Sequence, residues 1–317
     1  MIVIKKIMSL LILLTIIHTS NSIAQDHKGK VRSYTEKKYK AVERDGHIEN
    51  GEQLDWSNER HQYDNAGNET EWISYDSEDN IRSITKYTRN KDGNKVETKT
   101  YDADGSLKEK WVYEYDEKGN ETEIERYNPD GSLKDKWVYE YDEKGNETEI
   151  KRYNPEGRLT EKTVYEYNER GKTFKVLYYE YDEADQSNLE FLYGLGNDGL
   201  VKWDAYLWDE TEKHVIAVKR HNPVGKLESM WTRKYDKKGN CIEFCFYNSD
   251  ETLYSRETYK YDKKGNLVEE DEKYNEKFKT HKRTYRYEYD RKGNWTKKIE
   301  LKDGVPKFVW ERKYEYY

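Results

Sequence analysis

Polar and apolar residues alternate with a period of two through the middle of the chain. In the run LKDKWVYEYD, Leu133, Asp135, Trp137, Tyr139 and Tyr141 fall on one face. Lys134, Lys136, Val138, Glu140 and Asp142 fall on the other. This alternation, with Tyr, Trp, Thr and Val at the ordered positions, predicts extended strands rather than helices. The returning segment Glu121–Tyr127 is less regular, because Ile124 and Tyr127 have opposite parity. Either one of them faces outward or a bulge intervenes. Between strands come turns of one form, Tyr-Asp/Asn-x-x-Gly, as in Tyr115-Asp116-Glu117-Lys118-Gly119 and Tyr127-Asn128-Pro129-Asp130-Gly131. Asp or Asn at the first turn position bonds the backbone two residues on, Pro presets φ at the second, and Gly takes the left-handed closing conformation. Consecutive strands are therefore expected to pair as antiparallel hairpins.

The pattern itself repeats. Trp111 opens WVYEYDEKGNETEIERYNPDGSLKDK, and Trp137, twenty-six positions on, opens a near copy. A fixed period of this size marks an array whose units bury themselves against their neighbours. Residues 1–24 precede the array, and 25–58 read as a degenerate unit or N-terminal cap, with Asn50-Gly51 as a turn. Residues 59–182 are regular. Residues 183–220 form an irregular, aromatic-rich segment, since Gly171 and Gly239 are not separated by a whole number of periods. Regular units return over 221–317. Roughly twenty strands in one open sheet should curl. The expected fold is thus all-β, an antiparallel hairpin-repeat array coiled into a spiral with its aromatic face inward. A flat single-layer meander is the alternative.

Composition sharpens this picture. Only 34% of residues are hydrophobic and 38% are charged, yet 31 Tyr and 9 Trp supply burial area that disordered chains lack. Lys5 and Lys6 precede an apolar run from Ile7 to Ile17, and Ser22-Ile23-Ala24 has the small-x-small form of a cleavage site. These features imply a secretory signal removed between Ala24 and Gln25, and a periplasmic, surface or secreted protein. No membrane span is expected after cleavage. Acids and bases are interleaved, and the charge of the whole chain is −7. That disfavours nucleic acid, which needs a basic stripe. Cys241 and Cys245 sit four apart on one expected strand, roughly 13 Å, too far for a disulfide.

The form Tyr-Asp-x-x-Gly-Asn, followed by a strand and a second Gly turn, resembles the YD repeat of the Rhs and teneurin families. The residues carrying it are Tyr63, Asp64, Gly67 and Asn68; Tyr115, Asp116, Gly119 and Asn120; Tyr141, Asp142, Gly145 and Asn146; and the sets beginning at Tyr235, Tyr261 and Tyr289. The resemblance covers most of 59–317. It implies a β-sheet spiral forming a shell, on exported or surface proteins that enclose toxins, mediate adhesion or bind carbohydrate. Family shells are much longer, so a small or open spiral is expected here. The last strand reaches Tyr317, so no toxin cargo is expected in cis. MORN repeats also use Gly and Tyr, but with a shorter period.

Candidate chemistry is sparse. Phe191, Tyr193, Trp203, Tyr206 and Trp208 cluster where the repeat rule fails, and departures from local rules gather at functional sites. Their rings could stack on sugars; the competing reading is that they plug the core. The histidines are scattered, and no catalytic motif, metal-ligand spacing or cofactor fingerprint appears. The sequence therefore points to an exported, non-catalytic scaffold that binds a glycan or protein partner. A structural part of a toxin or secretion system comes second, and a polysaccharide hydrolase third.

Overall fold

The computed structural model describes residues 27–55, 57–181, 199–274 and 280–317. The proposed signal, Phe191 and Tyr193 lie outside them. The described residues form β1 (Val31–Arg44), β2 (His47–Gln53), β3 (Asn58–Tyr63), β4 (Glu69–Tyr75), β5 (Ile81–Arg89), β6 (Lys95–Asp102), β7 (Leu107–Tyr115), β8 (Glu121–Tyr127), β9 (Leu133–Tyr141), β10 (Glu147–Tyr153) and β11 (Leu159–Tyr167). They continue with β12 (Thr173–Glu180), β13 (Leu200–Trp208), β14 (Val215–His221), β15 (Leu227–Tyr235), β16 (Cys241–Asn248), β17 (Leu253–Tyr261), β18 (Leu267–Tyr274), β19 (His281–Tyr289), β20 (Trp295–Lys302) and β21 (Val305–Tyr316).

Each strand from β3 to β21 pairs antiparallel with the next, as the hairpin pattern predicts. The sheet then closes. β21 pairs along β1, from Val31↔Tyr316 to Lys40↔Phe308. The other side of β1 pairs with β3 near its start (Ser33↔Gln62) and with β2 near its end (Arg44↔His47). β2 and β3 thus share one place, and the ring is a 20-strand antiparallel barrel. Both the open spiral and the flat sheet expected from the sequence are overturned by this closure. The segment 25–58, expected as a cap, supplies the closing strand. Its start also latches the rim: Lys28 N donates to Asn294 Oδ1 (2.6 Å), and Asn294 Nδ2 donates to the Lys28 carbonyl (2.8 Å).

Closure follows from stagger. Cα partners run from Tyr113 to Ile124 to Trp137, so two strands advance the chain by twenty-four positions where the sequence repeat advances it by twenty-six. Following the ring, partners fall back by two positions per unit, the shear a tilted barrel needs. With the right-handed twist of strands, this direction of stagger turns the Tyr113 face inward. Tyr139 and Asp135 on that face are buried, whereas Lys134 and Glu140 on the outer face are exposed. Twenty strands at ~4.8 Å give a circumference of ~95 Å or more, too wide for side chains to fill.

Every residue of the turn motif has a visible task. Asp116 Oδ1 accepts from Lys118 N (2.9 Å) and Asn120 N (2.8 Å), and Oδ2 accepts from Asn120 Nδ2 (2.8 Å). Gly119 closes the loop at φ 85°. These bonds hold the Asp116 carboxyl below its ordinary pKa. The tyrosine acts at longer range. Just past each turn the ladder register shifts, and a carbonyl near the rim lies beyond the last ladder pair with the following strand. Tyr115 donates to the Lys95 carbonyl (2.8 Å), Tyr141 to Glu121 (2.6 Å), Tyr235 to Val215 (3.2 Å) and Tyr261 to Cys241 (2.9 Å), each 20 residues back. A rim carbonyl that would otherwise lack a protein partner is thereby capped. The parity conflict in β8 is resolved in the same terms: Ile124 faces inward opposite Trp137, and Tyr127 faces outward under Lys110 Nζ (4.2 Å).

The irregular segment keeps the architecture. The turn at Asp209 follows the one at Asn168 by a single unit, lengthened by an insertion of fifteen positions between β12 and β13. One further position lengthens the turn after β13, where Asp209 N donates to the His214 carbonyl (2.9 Å) and Glu212 takes the glycine's place at φ 53°. Trp208 stands in for the capping tyrosine, its Nε1 donating to the Thr173 carbonyl (2.7 Å).

Candidate functional site

The inner wall carries arginines clamped between aromatic rings. On β8, Arg126 makes a two-pronged bond to Asp135 of β9, Nε to Oδ1 at 2.9 Å and Nη2 to Oδ2 at 2.6 Å. Its guanidinium lies 5.2 Å from the Trp111 ring and 5.8 Å from Trp137. The two indoles stack at 5.4 Å with 15° between planes. Arg152 of β10 continues the run, 5.2 Å from Trp137 and bonded to both Asp135 (2.9 Å) and Glu161 (2.7 Å). The order Trp111, Arg126, Trp137, Arg152 follows from the repeat, which places Trp and Arg at fixed positions of successive strands. Planar guanidinium suits this stacking, where lysine would not.

A second clamp lies on β13 to β15. Asp204, 1% exposed, receives Arg220 Nε at 2.9 Å and Nη2 at 2.8 Å, and the Tyr178 hydroxyl at 3.3 Å. Arg220 rests 5.3 Å from Trp231. A third clamp forms the seam. Arg312 of β21 donates to Glu36 of β1 (2.6 Å) and lies 3.9 Å from the Trp295 ring and 4.8 Å from Tyr34.

His61 of β3 stacks on Tyr34 of β1, ring centroids 4.6 Å apart at 15°. Its Nδ1 bonds Glu69, and Glu59 Oε1 lies 3.2 Å from Nε2 as an ion-pair partner. Burial alone would depress the imidazole, but bonds and charges from Glu59 and Glu69 outweigh it and lift the pKa from 6.5 to about 9. Because the folded value exceeds the unfolded one, this stabilisation is complete below pH 6.5 and lost as pH rises through 9. The expected result is a melting temperature that declines between pH 6.5 and 9. His61→Gln should flatten that decline in a fluorimetric titration, and an unchanged slope would remove His61 as its source.

The three described residues of the aromatic cluster expected from the sequence do not share one face. Trp203 faces outward, where it stacks on His221 at 3.9 Å with Lys175 Nζ 5.2 Å from its ring. Tyr206 faces inward beside Tyr178, and Trp208 faces inward as the rim cap already described. Sequence reasoning missed Arg126, Arg152, Arg220, Asp135 and Asp204. The available signal was Asp135, an acid on an otherwise aromatic face, with arginine at one fixed place in successive units.

Neither a family model nor a curated protein matches the sequence. Among solved structures, the chain is similar to TcdB2-TccC3-Cdc42 (12% identity, TM-score 0.35), with 86% of this chain covered and 16% of that one. It is also similar to porin-like proteins from Bacteroides uniformis (10% identity, TM-score 0.33) and Bacteroides vulgatus (12% identity, TM-score 0.25). Those matches cover 91% and 90% of this chain, and 98% of each relative. The chain spans about a sixth of the length of the first of these structures.

On the outer face, Lys110, Glu114, Glu123, Lys136 and Glu140 share the central strands with a few valines. A lipid-facing band is apolar at this depth. On these strands the outer face presents charge where such a band would be apolar.

Proposed function

We propose that this chain is a non-catalytic β-repeat shell, a short relative of YD-repeat proteins, that binds an extended ligand along its inner wall. The observation that carries this reading is the stacked run Trp111, Arg126, Trp137, Arg152 on the lumenal side of a closed ring. Its guanidinium groups are held by Asp135, so they have little side-chain entropy left to lose on binding. Arg126 and Arg152 are neutralised by Asp135 and Glu161, which favours a neutral or mixed-charge chain over a polyanion. Polysaccharide strands and protein segments both meet that description. The apolar run before Gln25 supports work outside the cytoplasm, in the periplasm or at the cell surface. Tyr206 and Trp208, also lumenal, extend the same surface.

The test is a glycan array and a pull-down with the Trp111→Ala/Trp137→Ala variant. The expected outcome is a loss of at least tenfold in affinity with the barrel intact by circular dichroism. Unchanged binding by the folded variant would remove the ladder from the account. A second reading, a structural part of a toxin or secretion assembly, is favoured by the wide lumen and the charged outer face of the central strands. It predicts a co-purifying protein and no glycan affinity.

A further inference from the structure

Charge is sorted around the rim that carries the Tyr-Asp turns. The turns joining β15 to β16, β17 to β18 and β19 to β20 each place two bases after their aspartate: Lys237-Lys238, Lys263-Lys264 and Arg291-Lys292, all exposed. The aspartates are drawn into their own loops. Asp236 Oδ1 accepts from Lys238 N (2.8 Å) and Asn240 N (3.0 Å), and Asp262 and Asp290 accept from the same two positions of their turns. The bond from Lys28 N to Asn294 brings the start of the chain alongside, so exposed Lys28 and Lys30 extend the row towards the turn at Asp64. Two of the ammonium groups are seated on rings, Lys264 Nζ 3.2 Å from the Tyr289 centroid and Lys292 Nζ 3.4 Å from that of Tyr316. Elsewhere on this rim the loops are mixed: Glu117 precedes Lys118, Glu143 precedes Lys144, and Glu210 and Glu212 flank the turn after β13 with Lys213. A chain of net charge −7 thus gathers a row of bases into one sector.

We propose that this sector is a docking foot for an anionic phospholipid surface, on which the ring stands without entering the bilayer. Neighbouring turns are two strands apart, ~10 Å, close to the screening length of dilute salt, so their charges act together. Clustered Lys and Arg beside a membrane each add to the attraction of anionic headgroups. Shape favours a flat partner. Turn tips at one end of a barrel lie near one plane, which a bilayer touches at every point, whereas a soluble acidic chain would have to bend along the arc. The loops Asp236–Asn240, Asp262–Asn266 and Asp290–Asn294 carry no apolar side chain, which keeps the contact at the headgroups. Chain order points the same way. Ten residues separate Ile17, the end of the apolar run, from Lys28, at most ~36 Å of chain. A leader held in a bilayer therefore brings this rim, rather than the opposite one, to the headgroups.

The experiment is flotation of the exported chain with vesicles of phosphatidylglycerol and phosphatidylethanolamine, against vesicles of phosphatidylcholine alone. The expected result is saturable binding to the anionic vesicles only, weakened at least tenfold when salt rises from about 50 to about 300 mM. Lys237→Gln/Lys238→Gln/Lys263→Gln/Arg291→Gln should weaken it at least tenfold. Lys91→Gln/Lys118→Gln/Lys144→Gln/Lys213→Gln removes the same charge from the rest of the rim and should change it less than twofold. Circular dichroism checks that both variants are folded. Equal losses in the two variants, equal binding to neutral vesicles, or retention on soluble poly-glutamate as tight as on vesicles would each overturn the proposal. The vesicles present no glycan, and Trp111→Ala/Trp137→Ala should bind them as the parent chain does, so this proposal and the lumenal one fail separately.

Discussion

Asp204→Ala is expected to lower the free energy of unfolding by about 3–5 kcal/mol, among the largest effects of any single substitution in this chain. Asp204 is 1% exposed and holds Arg220 through two bonds. Removing the carboxylate leaves a guanidinium that is itself largely buried, with Tyr178 and Trp231 around it and no counter-charge. The penalty arises from that stranded charge more than from the lost attraction. A double replacement, Asp204→Leu with Arg220→Met, should therefore recover most of the loss. Lys260→Ala, at an exposed outer-face pair with Glu269, should leave stability nearly unchanged. Urea unfolding followed by tryptophan fluorescence measures all three. A loss below about 1 kcal/mol for Asp204→Ala would mean that Arg220 finds another partner or water.

Deleting 305–317 is expected to open the ring and drive self-association. β21 is the only described strand that pairs with both β20 and β1, and its loss exposes one long edge on each. Free edges of that length template pairing with other chains. The latch between Lys28 and Asn294 alone would not suffice, since the deletion also removes Arg312 and its bond to Glu36. Size-exclusion chromatography should show oligomers or aggregate. Adding a peptide of residues 303–317 during refolding should restore monomer, because the register between β21 and β1 is fixed by side chains the peptide still carries. A deleted chain that stays monomeric and cooperative would show that closure contributes little.

Much of this architecture was legible in the sequence, and the boundary has a physical cause. Turns were legible because their chemistry is local: Asp116, Gly119 and Asn120 complete their bonds within five residues. Strand faces were legible because parity is local too. Closure was not, since it depends on a drift of two positions per unit summed around the ring, together with twist, and no single unit contains either. The irregular segment looked like a lost register because inserted positions before β13 and in the turn after it break the period, and because Trp208 replaces tyrosine and Glu212 replaces glycine at that turn. Their backbone roles are unchanged, while their letters are not. The candidate cluster divides between faces for a related reason. Trp203 and Tyr206 are close along the chain, yet three positions on a strand place them on opposite faces. The clamps join residues of different strands, Arg126 with Asp135 and Arg220 with Asp204, whose partnership appears only once register is known.

The tyrosine cap has a consequence for how such a ring could grow. Each hydroxyl reaches a carbonyl 20 residues back, inside its own unit and the one before it. Duplicating one whole unit would therefore break no bond elsewhere, and would bring its own pair of strands and its own small offset. Slant would stay constant while girth increased. Gene duplication could in this way make wider vessels from the same brick, with no redesign at the join.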